Sequence, residues 1–232
     1  RSRIASVNAV LVPLFSALYI LAMLFIILRN AEMFPEAVRR IFTEAFGFRA
    51  AAGGFSASLL SSALRIGVSK GIFSSEAGMG SSPIAHAAAE GTTPYRQGLW
   101  GVAEIVIDTF IVSTLTAFAL LLTGHTEMDA VFRSAFGPAG SYILLAFLAV
   151  FAFASILSWV FYADGCIGFL FGTKKKAVSF VFRLLSVLFV FGGVFLSGEA
   201  VWAAADIFNA LMIFPNLFML FIYRKEIKYG VL

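Results

Sequence analysis

With 232 residues, 60% hydrophobic and 13% charged, and a mean hydropathy of +0.94, the chain lacks the charge of a water-soluble domain, about a quarter of whose residues are ionic. The net charge of +4 sits in short groups between apolar runs, a membrane-topology signal and not a nucleic-acid footprint. The lone Cys166 excludes an internal disulfide, and His86 and His125 stand without the Cys/His cluster of a metal site.

The chain opens at Arg1, without Met or a charged-then-apolar leader, and reads as a piece beginning in mid-protein just after a basic cytoplasmic loop. A helix needs about 20 apolar residues to cross a bilayer, and residues 10–28 supply the first such run. Residues 32–46 follow as a short amphipathic helix at the outer interface. Pro35 suits its first turn, and Val38, Ile41, Phe42 and Ala45 recur at helical spacing; a plain loop is the alternative. Residues 50–89 are rich in Gly, Ser and Ala and fit no simple span. Clear spans then cover residues 99–122, 142–161, 177–196 and 201–223, the last interrupted by Asp206, Asn209 and Pro215.

Short cytoplasmic loops are enriched in Lys and Arg. Arg1 with Arg3, Lys174 to Lys176, and Arg224, Lys225 and Lys228 therefore belong on one side, with Arg96 beside them, and both ends of the chain are cytoplasmic. Ends on one side require an even number of crossings. Five clear spans thus demand a sixth crossing between Asn30 and Arg96, where hydropathy alone is ambiguous.

That sixth crossing contains GIFSSEAGMGSSPIAHAAAE, residues 71–90, poor material for a continuous helix. Opened backbone survives at membrane depth only when buried in protein or lining a wet cavity, which is how secondary transporters build midplane sites. The expected division is an outer half-helix at about residues 58–72, an unwound link at 73–80 and an inner half-helix at 81–89. Pro83 fits the first turn of the inner piece, with Ser81 and Ser82 as caps. A carboxylate at this depth is functional by default, so Glu76 either contacts substrate or ion, or stiffens the break by receiving backbone N–H groups. Arg65 and Lys70 snorkel or pair with acids, Glu104 is expected to pair with Arg96, and Asp108 and Asp206 are intramembrane acids of open role.

Four segments in order, FSSEAGMGSSPIA (73–85), RQGLWGVAEIVIDT (96–109), FAFASILSWVFYADG (151–165) and VWAAADIFNALMIFPNL (201–217), resemble the sodium:alanine/glycine symporter family. The family is similar in fold to the bacterial leucine transporter, with two inverted five-helix repeats. The resemblance implies an all-α polytopic membrane protein with a partial fold of that kind: about six transmembrane helices, one broken at about residues 53–90. Residues 1–232 would form a single transmembrane domain fragment supplying the fifth to tenth helices.

By the same resemblance, the substrate contacts at the break fall on Phe73, Ser74, Ser75 and Glu76, with the loop reaching Gly78 and Met79, and Trp159 resembles a pocket residue. Ser75 departs from the family's usual Asn. The sodium site of the fold falls on the Phe151 carbonyl and the Ser155 hydroxyl, one helical turn apart; Ala154 stands where the family usually has a second hydroxyl. For Phe73 and Trp159 the alternative is packing, and for Ser155 an ordinary helix–helix hydrogen bond.

The expected function is symport of a small neutral amino acid, alanine or glycine, with sodium as coupling ion and no cofactor, in a prokaryotic cytoplasmic membrane. The partners implied are the substrate, sodium, lipid and a missing N-terminal half. A channel would need a continuous polar face, which no span shows, and a non-transporting membrane subunit is the other alternative. An intramembrane protease would want Ser/His or paired Asp on adjacent helices, or HExxH for a metal; His86 and Glu76 stand ten residues apart across a break.

Overall fold

A computed structural model describes residues 2–46, 54–172 and 175–224, all helix and connecting turns. The chain runs through α1 (Ser2–Arg29), a 3₁₀ turn (Ala31–Met33), α2 (Phe34–Phe46), α3 (Gly54–Ser75), α4 (Ser82–Ala87) and α5 (Pro94–Ile105). A π turn (Val106–Val112) leads into α6 (Ser113–Thr123), followed by α7 (Met128–Phe136), α8 (Ala139–Phe171), α9 (Lys175–Gly193) and α10 (Gly198–Tyr223). Among the described residues, five helical stretches are long and apolar enough to cross a membrane: Val7–Arg29, Pro94–Thr123, Ala139–Phe171, Lys176–Gly193 and Gly198–Tyr223. They match the five clear runs in the sequence. Arg1, Lys174, Lys225 and Lys228 of the predicted cytoplasmic groups, and residues 50–53 of the Gly/Ser/Ala stretch, lie outside the described residues.

The helices gather into two compact units. The first combines Arg1–Gly67 with Ile107–Leu157, the second Val68–Val106 with Ser158–Leu232. In the first, Met23, Ile26, Ala119, Val131, Phe132, Ala135, Leu144 and Phe147 form a closed apolar cluster. Lipid is as apolar as these side chains, so close packing and not water exclusion must favour their contact. Rings supply much of it: Tyr19 meets Phe147 edge-on at 5.5 Å and Phe151 at 6.1 Å, and its hydroxyl lies 2.9 Å from Thr116 Oγ1. Arg29 donates to the Ala135 carbonyl at 2.6 Å, placing a cation on the C-terminal end of α7.

Several local features differ from the sequence expectation. The connection between the spans predicted over 99–122 and 142–161 contains α7, whose Val131 and Phe132 are fully buried. Nine residues are too few to register as a span. Gly140 makes the tight return into α8 possible: a Cβ there would lie 2.2 Å from the Phe132 carbonyl oxygen. The span predicted over 99–122 is interrupted by the π turn, where the Ser113 hydroxyl donates to the Asp108 carbonyl five residues back; hydropathy carries no sign of such widening. α9 stops at Gly193, short of the predicted residue 196, because paired Gly192 and Gly193 weaken the helix end. The amphipathic helix α2 is present, with Phe34 stacked on Phe118 at 5.0 Å.

Candidate functional site

The second unit contains the opened backbone. α3 continues through Phe73, Ser74 and Ser75 before stopping, and residues 76–81 are non-helical until α4 starts at Ser82. The expectation placed the link at 73–80. It begins three residues later because Glu76, at φ +52°, is the first position to leave helical geometry; Gly78 and Gly80 follow at φ +79° each. Two glycines carry this conformation without a Cβ clash. At Glu76 it costs about 1–2 kcal/mol, so the surroundings must enforce it.

One enforcing contact is internal. The Ser81 hydroxyl donates to Glu76 Oε2 at 2.6 Å, and Ser81 is only 1% exposed. Its side chain therefore does not cap α4 as expected; the hydroxyl is engaged by the carboxylate. Among the described residues the Glu76 carboxylate receives the Ser81 hydroxyl and no backbone N–H group, while its carbonyl accepts from Met79 N at 3.2 Å. Met79 is buried at 3% exposure. Ser75 Oγ accepts from Ala77 N at 3.4 Å.

The second enforcing contact comes from α10. Asn216 Nδ2 donates to the Gly78 carbonyl at 2.9 Å. Higher on the same helix, Asp206 receives Lys70 Nζ at 3.0 and 3.1 Å and the Ser69 hydroxyl at 3.2 Å. Lys70 also lies 4.2 Å over the Trp202 ring, which Phe73 meets edge-on at 5.4 Å. Thus Lys70 pairs with an acid, Asp206 is tied to α3, and Phe73 packs against Trp202.

On the far side of the link, His86 Nδ1 lies 2.7 Å from Gln97 Oε1. Glu104 Oε2 approaches His86 Nε2 to 3.3 Å, an ion-pair distance without hydrogen-bond alignment. Glu104 thus faces His86, in place of the expected Arg96, which sits eight residues and about 12 Å of helix away. Pro83, His86, Thr92, Thr93, Gln97 and Gly101 help line a cavity of ≈ 500 Å³. Trp159 meets Tyr162 at 5.7 Å, and Arg183 bonds Asp164. Among the described residues no His, Cys, Asp and Glu group fits a metal ion.

In the first unit, Phe151 and Ser155 lie on the continuous α8. Phe151 stacks on Phe147 at 6.3 Å and Ser155 is exposed. Ala154 is 6% exposed, and its carbonyl accepts from Asn8 Nδ2 at 3.2 Å. Asn8 and Asn216 were not singled out from sequence. Asn216 is an amide inside an apolar run and Asn8 lies two residues before one, and that polarity is the one signal available.

Residues 1–230 match the Sodium:alanine symporter family. The chain belongs to this family of membrane transporters. It is 39% identical over 97% of its length to an uncharacterized transporter of Haemophilus influenzae, covering 51% of that protein. It is 36% identical to the sodium/alanine symporter AgcS of Methanococcus maripaludis, with 92% of the chain and 48% of the relative covered. A Bacillus subtilis protein named "Probable sodium/glutamine symporter GlnT" is 35% identical over 97% of the chain and 48% of its own length. The chain thus spans about half the length of the relatives it matches. No solved structure matches it. The family consists of sodium-coupled amino-acid symporters, not enzymes, and the chain is a multi-pass membrane protein.

Proposed function

We propose that this chain is one half of a carrier that moves a small neutral amino acid, alanine or glycine, into the cell together with sodium. The supporting observation is the opened backbone at residues 76–81, braced from two sides in a member of a sodium-coupled symporter family. In this reading α3, the link and α4 make the sixth crossing of a leucine-transporter-like fold, with both chain ends cytoplasmic. Carbonyls and N–H groups freed at the link replace the hydration of the substrate's ammonium and carboxylate.

Phe73, Ser74, Ser75, Gly78 and Met79 would line the substrate site together with Trp159, Phe73 forming a wall sized for a methyl group. Glu76 would set the shape of the link through Ser81. The Phe151 carbonyl and Ser155 hydroxyl would hold sodium, a hard cation suited to oxygen donors. Ala154 supplies no hydroxyl, so an Ala154→Ser variant should lower the sodium concentration for half-maximal uptake. Relatives named for alanine and for glutamine favour a neutral amino acid and leave side-chain size to the pocket wall.

The test is labelled alanine uptake into proteoliposomes holding the full-length carrier, with sodium or potassium outside. Sodium-dependent uptake that falls at least tenfold in Phe73→Ala and Ser155→Ala supports the reading, as loss of about 1.4 kcal/mol at either site would produce. Uptake indifferent to sodium rejects the ion assignment. No uptake of alanine, glycine or serine under either condition favours a non-transporting subunit. The chain alone should show none, because half of the ligands would lie in the other half of the carrier.

A further inference from the structure

We propose that Asn216 is a positioning residue that holds the 76–81 link in its substrate-presenting shape. The inference rests on the reading of that link as the substrate site and adds a residue from another helix that governs it.

The link has little regular structure with which to hold itself. Three of its six residues have left-handed backbone, and its internal ties are Met79 N to the Glu76 carbonyl and the Ser81 hydroxyl to Glu76. Asn216 adds a tie from outside, donating to Gly78, which sits between the other two left-handed positions. It also fits against Gly80 so closely that a Cβ there would lie 2.9 Å from Asn216 Oδ1 and 3.0 Å from its Cγ. Leu217, the next residue, comes within 3.8 Å of where a Cβ on Gly78 would be. One short stretch of α10 therefore bonds one glycine of the link and abuts both.

The chemistry matches the location. A primary amide in an apolar span is costly unless its donors find acceptors. A helix opened at this depth exposes carbonyls that must also be satisfied. The Asn216–Gly78 bond answers both needs, and it fixes which way the Gly78 peptide plane faces. Turning that plane would redirect the neighbouring N–H and C=O groups, the ones proposed to meet the ammonium and carboxylate. A purely structural helix–helix amide bond would stabilise the fold without changing how the link meets its ligand.

The experiment uses the full-length carrier in nanodiscs and proteoliposomes, as wild type, Asn216→Ala, Gly80→Ala and the double variant. Amide hydrogen exchange across residues 77–81 should accelerate about tenfold in Asn216→Ala, the effect of losing one hydrogen bond. The KM for alanine should rise about tenfold with the maximal rate within about twofold. Gly80→Ala should impair binding by itself, and adding Asn216→Ala should cost less than the two losses combined, because the facing amide is gone. Unchanged exchange at 77–81 in a folded Asn216→Ala protein would overturn the proposal. So would faster exchange with an unchanged KM, which would leave Asn216 a structural brace only. If the wild type carries no amino acid, the transport reading fails separately, and the exchange measurement alone still decides whether Asn216 holds the link.

Discussion

In the first unit the largest fully buried side chains are Phe132, Met23, Ile26 and Val131, in one apolar cluster with Phe147, whose ring meets those of Tyr19 and Phe132. In the second, the contacts that join separate helices are largely polar: Lys70 with Asp206, Asn216 with Gly78, His86 with Gln97, and Arg183 with Asp164. The α9 and α10 spans, both in the second unit, bury none of their most apolar window inside the chain. Part of the contrast follows from the backbone: the opened helix leaves the Gly78 carbonyl for Asn216 to satisfy. The Lys70–Asp206, His86–Gln97 and Arg183–Asp164 contacts join side chains to each other, whereas the first unit adds its polar ties, Tyr19 with Thr116, Arg29 with Ala135 and Asn8 with Ala154, to a closed apolar cluster.

This contrast can be broken by perturbing each unit in turn. Phe132→Ala should have the largest effect, lowering stability by about 3–5 kcal/mol, read from thermal or denaturant unfolding in nanodiscs. Gly140→Ala should follow at about 1–3 kcal/mol, since the added methyl meets backbone and not a movable side chain. In the second unit, Lys70→Met with Asp206→Asn should show a coupling of about 0.5–3 kcal/mol, the range for charged side chains in direct contact. A coupling larger than the Phe132→Ala loss would reverse the contrast.

The smallest effect concerns α2. The Arg39 guanidinium, 2.8 Å from Glu36, holds that carboxyl below the usual carboxylate range. A depressed carboxylate contributes above its unfolded pKa and loses the contribution as pH falls through the folded value. The Glu36 carboxyl carbon should therefore titrate below an ordinary Glu by NMR, and Arg39→Gln should return it. The pair is at the surface, so the unfolding midpoint at neutral pH should barely move.

The spans were legible because composition alone distinguishes residues that face lipid, and the break because Gly, Ser and Pro cluster over residues 71–90. Its starting point was not, since Phe73, Ser74 and Ser75 are compatible with either state. The braces were hidden for a different reason. Asn216 and Gly78 are 138 residues apart, and Asn8 and Ala154 are 146 apart, and no local pattern joins such pairs. The π turn and α7 escaped because one changes the register without changing hydropathy and the other is too short to span.

The most direct test of the central claim places a single thiol in the link. Ala77 is exposed and is not a proposed contact, so Ala77→Cys in a Cys166→Ala background reports on access to residues 76–81 in the full-length carrier. Alanine should slow labelling of this thiol by a membrane-impermeant reagent when sodium is present and have no effect when potassium replaces it. Labelling that ignores alanine in sodium, or equal protection in both salts, would contradict a sodium-coupled substrate site at the break.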